Sequence, residues 1–478
     1  MRGQPVCDNI CAMKSKKPEI YIDRKFDKTL LAWKSRDNRL PLIVEGARQV
    51  GKSECIEHFA EGRYSSFVEI NFVERPEFKG VVRDGYSTEN IIRNISQIDT
   101  RFRFDPGTTL VFFDEIQEFP DIATSLKFFA QDGRFDVICS GSLLGLNVKR
   151  IRSLSVGYQD HEKMFSLDFE EFLRAKGYTD SHIEDVYEHL VEARPLNEAV
   201  ANAYARLFLD YCALGGMPEV VANYISRGTF EQTTSIQKRI MSDYRIDIQK
   251  YSEGLDPVRI LSVFDSIAPQ LAKENKKFQF SKVERGARKK DYWGCVEWLL
   301  QAGVVNLCNR LDFPELPLAA HAENDFYKMY MGDTGLLVAM LDRDSQEDVR
   351  IRRNLGTWKG GLFENIVGEA LVKAGERLFY YKRDNSPLEI DFLLRAGDDI
   401  VPIEVKAENS RGKSLRTLID SEHYPEIRWG VKIVNGNVGF ERDVLTIPQW
   451  CAFLLPRLVR DFGARWRLRS PSAMQCRR

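Results

Sequence analysis

Residues Gly46-Ala47-Arg48-Gln49-Val50-Gly51-Lys52-Ser53 follow the spacing G-x-x-x-x-G-K-S. They stand between an apolar run, LPLIVEG, and a helical run, KSECIEHFAEG. No other feature of the chain restricts its fold so strongly. The glycines let successive N–H groups turn inward, and the following helix adds the positive end of its dipole, so the loop can cradle phosphate oxygens. Lys52 can then reach the β and γ phosphates, and the Ser53 hydroxyl can ligate Mg²⁺. A glycine turn can arise without any such role, but here strand, loop and helix occur in the order the chemistry needs. All eight residues from Gly46 to Ser53 are therefore expected to line an ATP site.

The surrounding sequence supports this reading. SSFVEINF, TLVFFDEIQEFP and FDVICSGSLLG read as buried strands. TENIIRNISQI, with a threonine cap, and ATSLKFFAQDG, stopped by its glycine, read as helices between them. Such alternation of apolar strands with helices predicts a parallel sheet covered on both faces. The strand Leu110-Val111-Phe112-Phe113 ends in Asp114-Glu115. Asp114 is placed to hold Mg²⁺ through water, and Glu115 to orient or deprotonate the attacking water. The same pair could be no more than two solvated acids at a strand end. Ser140 and Ser142, ending the next strand, either sense a γ-phosphate or close a turn. Arg150 and Arg152 are candidates, by position only, for an arginine finger.

Length and composition bound the rest. At 478 residues the chain is too long for one ordinary core, and 43% hydrophobic with 29% charged residues is ordinary for a globular protein. The formal net charge of −1 announces no polyanion partner, so any such contact must come from local patches. The nine cysteines form no CxxC pair or Cys/His cluster, which argues against a disulfide framework and structural zinc and fits a reducing cytoplasm. No apolar run is long enough to span a membrane. Residues 1–19 read as a flexible leader, with Met13 as an alternative start. Further expectations are a P-loop ATPase domain over 20–195, a helical connector over 196–255 interrupted by the loop GGMPEVV, and a winged-helix-like unit over 256–345. A separate α/β module over 353–448 and a basic tail over 449–478 complete the division.

The stretch LEIDFLLRAGDDIVPIEVKA carries the second site. With Ala396 to Asp399 as a four-residue hairpin loop, Arg395 faces Ile400, Asp391 faces Glu404 and Glu389 faces Lys406. Strand alternation then puts Glu389, Asp391, Glu404 and Lys406 on one face, and Ile390, Phe392, Ile403 and Val405 on the other, in the core. Opposed carboxylates repel, so Lys406, a divalent cation or both should lie between them. The simpler alternative is a solvated face with cross-strand ion pairs. The set resembles the D…(D/E)xK site of restriction-endonuclease-like nucleases. That resemblance implies that Asp391 and Glu404 bind Mg²⁺, that Lys406 orients or activates a water, and that a helical glutamate, Glu364 rather than Glu369, completes the site.

Two basic segments remain. Lys276, Lys277, Lys282, Arg285, Arg288, Lys289 and Lys290 precede the helix DYWGCVEWLL, and Arg465, Arg467 and Arg469 flank Trp466. Either could touch phosphates, and either could be a solvated surface.

Together GARQVGKS, LVFFDEIQEFP, ICSGSLLG, FSLDFEEFL, GGMPEVV, LFENIVGEAL and EIDFLL…PIEVKA resemble the bacterial and archaeal AAA-family ATP-binding proteins that carry a C-terminal domain of unknown function. Relatives often have Gly-Arg where Gly157 is followed by Tyr158 here, so no arginine role is carried to that position. The resemblance implies an α/β protein with an AAA-type ATPase module, a winged-helix-like middle region and a nuclease-like C-terminal domain. Its expected ligands are ATP and Mg²⁺, with DNA and further copies of the chain as candidate partners. The alternative function is an ATP-dependent switch whose C-terminal module binds a protein or nucleic acid without cleaving it.

Overall fold

The computed structural model describes residues 21–142, 157–252, 254–342, 344–408 and 412–469. The first apolar runs form the expected parallel sheet. Its strands are β1 (Leu42–Gly46), β2 (Ser66–Asn71), β3 (Thr109–Asp114), β4 (Asp136–Ser142) and β5 (Asp160–Lys163), in the order β2-β3-β4-β1-β5. Every neighbouring pair is parallel. Leu110 and Phe112 pack beneath the helices Lys25–Lys34 and Lys52–Ala60. Val111 and Phe113, pointing the other way, pack beneath Thr88–Ile98 and Leu126–Asp132. A strand buried on both faces is what its unbroken apolar sequence requires. The cap of Thr88–Ile98 is Ser87, whose Oγ accepts from Asn90 N; Thr88, expected as the cap, is the first helical residue.

The connector is helical, but the interruption is shorter than GGMPEVV suggested. Gly215 ends the helix Glu198–Leu214, and Pro218 opens the helix Pro218–Arg227. Proline suits a first helical turn because its missing N–H would find no intrahelical partner there. A side chain at Gly216 would collide with the Leu167 carbonyl. The last connector helix, Thr233–Tyr251, runs over the phosphate loop.

The middle unit has the expected helices, Pro257–Leu271 and Lys289–Gln301, then β6 (Val305–Leu311). A strand that the sequence did not suggest follows, β7 (Ala322–Met331), antiparallel to β6. The other edge of β6 is taken by β8 (Phe379–Lys382) in parallel, and β9 (Glu389–Ile390) runs antiparallel to β8. One sheet, β7-β6-β8-β9, therefore crosses the expected boundary at 345–353. Covering β6 with a third strand removes an exposed row of unpaired backbone groups.

The final sheet contains β10 (Phe392–Ala396), β11 (Asp399–Val405), β12 (Gly430–Val434), β13 (Gly439–Glu441) and β14 (Val444–Pro448), in the order β10-β11-β12-β14-β13. The run LEIDFLLR is thus two strands, broken at Asp391, which stands at the corner between the two C-terminal sheets. Beyond it, within the expected basic tail, comes the helix Leu455–Arg469. Leu455, Leu458, Val459 and Phe462 are buried along one stripe, and the Phe462 and Trp429 rings lie 5.2 Å apart. One large core running from Leu167 to Phe462 joins connector, middle unit and C-terminal module. Among the described residues, no helix is long and apolar enough to cross a membrane.

Candidate functional site

Because the sheet is parallel, the carboxyl ends of β3, β4 and β1 lie side by side, and the phosphate loop leaves from β1. Gly51 takes φ 90° and Gln49 φ 64°, which turns the loop into the helix Lys52–Ala60. The side chain of Lys52 curls over this turn, donating to Gly46 O at 3.1 Å and Ala47 O at 2.9 Å. Burial pulls its ammonium down, against the charges of Glu115 and Asp114. Ser53 Oγ donates to Asp114 Oδ2 at 3.0 Å, and Asn71 Nδ2 donates to the same oxygen at 2.9 Å. Glu115 N donates to Asp114 Oδ1 at 3.0 Å, and Ser140 Oγ donates there as well. Burial pushes the Asp114 carboxyl up, and the neighbouring Glu115 charge adds to the effect. Glu115 itself turns at φ 54° and accepts from Gln117.

Other elements hold the loop from behind. Arg24, buried, donates to Val50 O at 2.9 Å and Phe165 O at 2.6 Å. From Thr233–Tyr251, Tyr244 OH donates to Arg48 O at 3.1 Å, Asp243 accepts from Gln49 Nε2 at 2.7 Å, and Asp247 pairs with Arg48. Gly303, just before β6, approaches so closely that a Cβ there would lie 3.4 Å from the Ala47 Cβ. The expected loop residues are thus brought together, but Arg48 and Gln49 point to the connector helix. The Ser140 hydroxyl is committed to Asp114, so it positions that carboxylate. The Ser142 side chain, Arg150 and Arg152 lie outside the described residues.

The acid–lysine cluster forms where the two C-terminal sheets meet. Arg395 pairs with Ile400 as expected, but Ala396 also pairs with Asp399, so the turn is the two residues Gly397-Asp398. The ladder reaches Phe392–Ile403 and stops. Glu389 is carried into the other sheet opposite Lys382, not Lys406. Asp391 Oδ2 accepts from Val405 N at 2.9 Å, and Lys406 Nζ lies 2.7 Å from Glu404 Oε1. The centre is occupied by a residue absent from the sequence reading. Lys328, from β7 and 1% exposed, lies 3.1 Å from Glu364 Oε2, 2.9 Å from Glu389 Oε1 and 3.4 Å from Asp391 Oδ1. Lys276 takes the other oxygen of Glu364, and Tyr330 OH donates to Oε2 at 3.2 Å. Both lysines hold Glu364 well down, to about 2, against the cost of its burial. Burial and the Glu364 charge push Asp391 up, to about 7, with Lys328 opposing. Glu369 lies apart, on Thr334 and Lys373.

Comparison with known families matches residues 38–173 to the AAA domain. The N-terminal sheet lies within that match. Residues 205–347 and 359–451 match two domains of unknown function, DUF8612 and DUF4143. No curated protein matches the chain. Among solved structures, a Walker-type ATPase of Pyrococcus abyssi aligns at 16% identity and TM-score 0.41, covering 67% of this chain and 96% of its own. Cdc6p of Pyrobaculum aerophilum aligns at 12% and 0.26, covering 70% and 97%. The RuvB branch-migration motor of Thermotoga maritima aligns at 13% and 0.28, covering 59% and 89%. Likeness at these scores says nothing about chemistry.

The AAA domain offers a fitting place for a cation. Ser53 Oγ already donates to Asp114 at 3.0 Å, and a positive ion there would offset the desolvation that raises the carboxyl. The C-terminal cluster fits one too. Glu404 Oε2 is buried without a hydrogen-bond partner, and Gly412 leaves it room, since a Cβ there would lie 2.5 Å away. Asp391 and Glu404 would be its protein ligands, whereas Glu364 is already engaged by Lys276, Lys328 and Tyr330. No cage of three or more His, Cys, Asp or Glu forms among the described residues, so such an ion would keep several waters. Lys328 escaped sequence reading because its strand did: a lysine between Tyr327 and Met329 looks like an ordinary outward charge.

Proposed function

We propose that this chain hydrolyses ATP in its AAA domain and uses that cycle to act on nucleic acid through its C-terminal module. The Ser53–Asp114 contact at 3.0 Å carries the reading, because it sets the two expected Mg²⁺-binding groups beside Lys52. Lys52 exchanges its two backbone carbonyls for β- and γ-phosphate oxygens. Asp114 is held in one orientation by Asn71, Ser140 and the Glu115 amide. Glu115 then orients the attacking water and accepts its proton. In the C-terminal module Asp391 and Glu404 face a phosphodiester, and Lys406, next to Glu404, positions the water that attacks phosphorus. A divalent cation at each site supplies Lewis-acid stabilisation of the developing phosphate charge. DNA is the proposed substrate, and further copies of the chain are its proposed assembly partners.

A second reading is favoured by Lys328, which already compensates Glu364, Glu389 and Asp391. In it the C-terminal module binds a partner without cleaving, and the ATP state switches that binding. Phosphate release and plasmid cleavage measured on one preparation, with Mg²⁺ and Mn²⁺, separate the two. Cleavage lost in Glu404→Ala and Lys406→Ala supports the first reading. Absence of cleavage, with ATP-dependent partner binding intact, supports the second. Nucleotide binding by Lys52→Ala equal to that of the parent chain would defeat both.

A further inference from the structure

Beside the acid–lysine cluster lies a cavity of about 670 Å³ between β6, β7 and the β8–β9 turn. Its wall carries five cations, Lys277, Arg310, Lys328, Lys382 and Arg383, against two carboxylates, Asp384 and Glu389. That is a local excess of three positive charges in a chain whose formal net charge is −1. Three of these cations are already matched: Arg310 pairs with Glu323 and Asp384, Lys382 with Glu389, and Lys328 with Glu364, Glu389 and Asp391. Two are not. Among the described residues neither Lys277 nor Arg383 meets a carboxylate: the Lys277 ammonium lies 3.6 Å above the Phe326 ring, and Arg383 donates to Tyr424 OH at 2.9 Å. Lys277 also stands directly opposite Lys328 across a backbone bridge. Lys328 is already neutralised by Glu364, Glu389 and Asp391, so Lys277 is the cation of this pair left open to an outside anion. Burial, and then Arg310, pull the Lys277 ammonium down, with Glu323 and Asp384 opposing from a distance.

We propose that this cavity binds the phosphate backbone of a single nucleic-acid strand and delivers it to Asp391 and Glu404. The wall it shares with the cluster is Lys328 and Glu389, which both line the cavity and meet each other at 2.9 Å. Its volume is that of a small-ligand pocket, roughly 300–1,000 Å³, which admits about one nucleotide and excludes a duplex. The cations supply point charges and donors for phosphate, and the Phe326 face is already covered by Lys277 and Arg310, so base stacking there is not the source of affinity. Delivery rests on the nuclease-like reading of the C-terminal module; strand binding does not. A free nucleoside triphosphate would present the same chemistry, and the test separates the two sources.

The full chain is titrated, in EDTA, with a fluorescein-labelled single-stranded oligodeoxythymidylate over a range of salt concentrations. The double variant Lys277→Ala/Arg383→Ala should bind at least ten-fold more weakly. Its salt slope should fall by about 1.4, from two lost phosphate contacts at about 0.7 each. Strand binding is read in EDTA, where no metal-dependent cleavage occurs, so a parent chain that binds the strand but never cleaves when Mg²⁺ is restored removes the nuclease reading and leaves this one standing. Unchanged oligonucleotide affinity in the double variant overturns the proposal. So does loss of a second ATP-binding equivalent in that variant with strand binding intact, which would assign the cavity to free triphosphate. If the double variant does not fold, Arg383→Gln, on the turn after β8, is read by the same two measures.

Discussion

Ser53 Oγ donates to Asp114 Oδ2 at 3.0 Å, so the phosphate loop meets the tip of β3 through one hydrogen bond. Binding and turnover should therefore separate by residue. Lys52→Ala removes a charge-assisted contact to phosphate, worth about 1.5–3 kcal/mol, and should weaken nucleotide binding roughly ten- to hundred-fold. Glu115→Gln keeps every contact that holds Asp114, since the bond there comes from the Glu115 backbone. It should bind ATP normally and lose turnover by about 10²-fold or more. Equilibrium titration and phosphate release on the same samples check both, and a Glu115→Gln chain that turns over at the parent rate would remove Glu115 from the chemistry.

Asp247 pairs with Arg48 of the phosphate loop, and its own charge lies near Glu115. Asp247→Asn releases the guanidinium and removes a negative charge beside the phosphates. ATP should bind about three- to ten-fold more tightly at low salt, with the gain fading as salt screens it. Weaker binding at every ionic strength would mean that the pair instead supports the loop.

The sequence made the AAA domain legible because period and chemistry agreed there: an apolar strand, a glycine turn, a helix, then a strand ending in two acids. Ser53 meets Asp114, Glu115 stands beside it, and Lys52 turns onto the loop's own carbonyls. The C-terminal module was legible in part. Arg395 against Ile400 set the hairpin register correctly, and Asp391, Glu404 and Lys406 converge. What could not be read was long-range pairing. β8 adds to β6 across the expected boundary, pulling Glu389 away from Lys406, and β7 inserts Lys328 among three carboxylates. Alternation within a strand says which residues share a face, not which distant strand will cover it. Lys276 shows the same limit: it read as part of a basic surface, yet it turns inward to Glu364.

Gly303 brings the middle unit against the phosphate loop. It adopts φ 70° against Ala47 of the phosphate loop, while Gly62, at φ 72°, has nothing within 4 Å of a Cβ. Asparagine is the side chain that best tolerates this backbone region, so Gly62→Asn and Gly303→Asn carry similar strain and differ in their neighbour. Gly303→Asn should press on Ala47 and weaken ATP binding about ten-fold, or 1.4 kcal/mol. Gly62→Asn should leave it unchanged. Equal effects from the two, measured by titration, would show that the middle unit does not bear on the loop.

Glu364 supplies a prediction about stability against pH. Lys328 and Lys276 hold its carboxyl at about 2, below the ordinary 4.5. A carboxyl held down in this way stabilises the fold fully above about 4.5, and that contribution is lost as the pH falls through about 2. Glu364→Gln takes from Lys276 its carboxylate and leaves the buried Lys328 with two of its three, so at pH 7 it should cost about 3–5 kcal/mol. Lowering the pH from 7 to 3 should narrow the gap between variant and parent by about 2 kcal/mol, since only the parent has this carboxylate to protonate. Urea unfolding of both chains at the two pH values measures the gap. A gap that stays constant would mean that Glu364 is not held as an anion between the two lysines, and the cluster would then need another account of its charge balance.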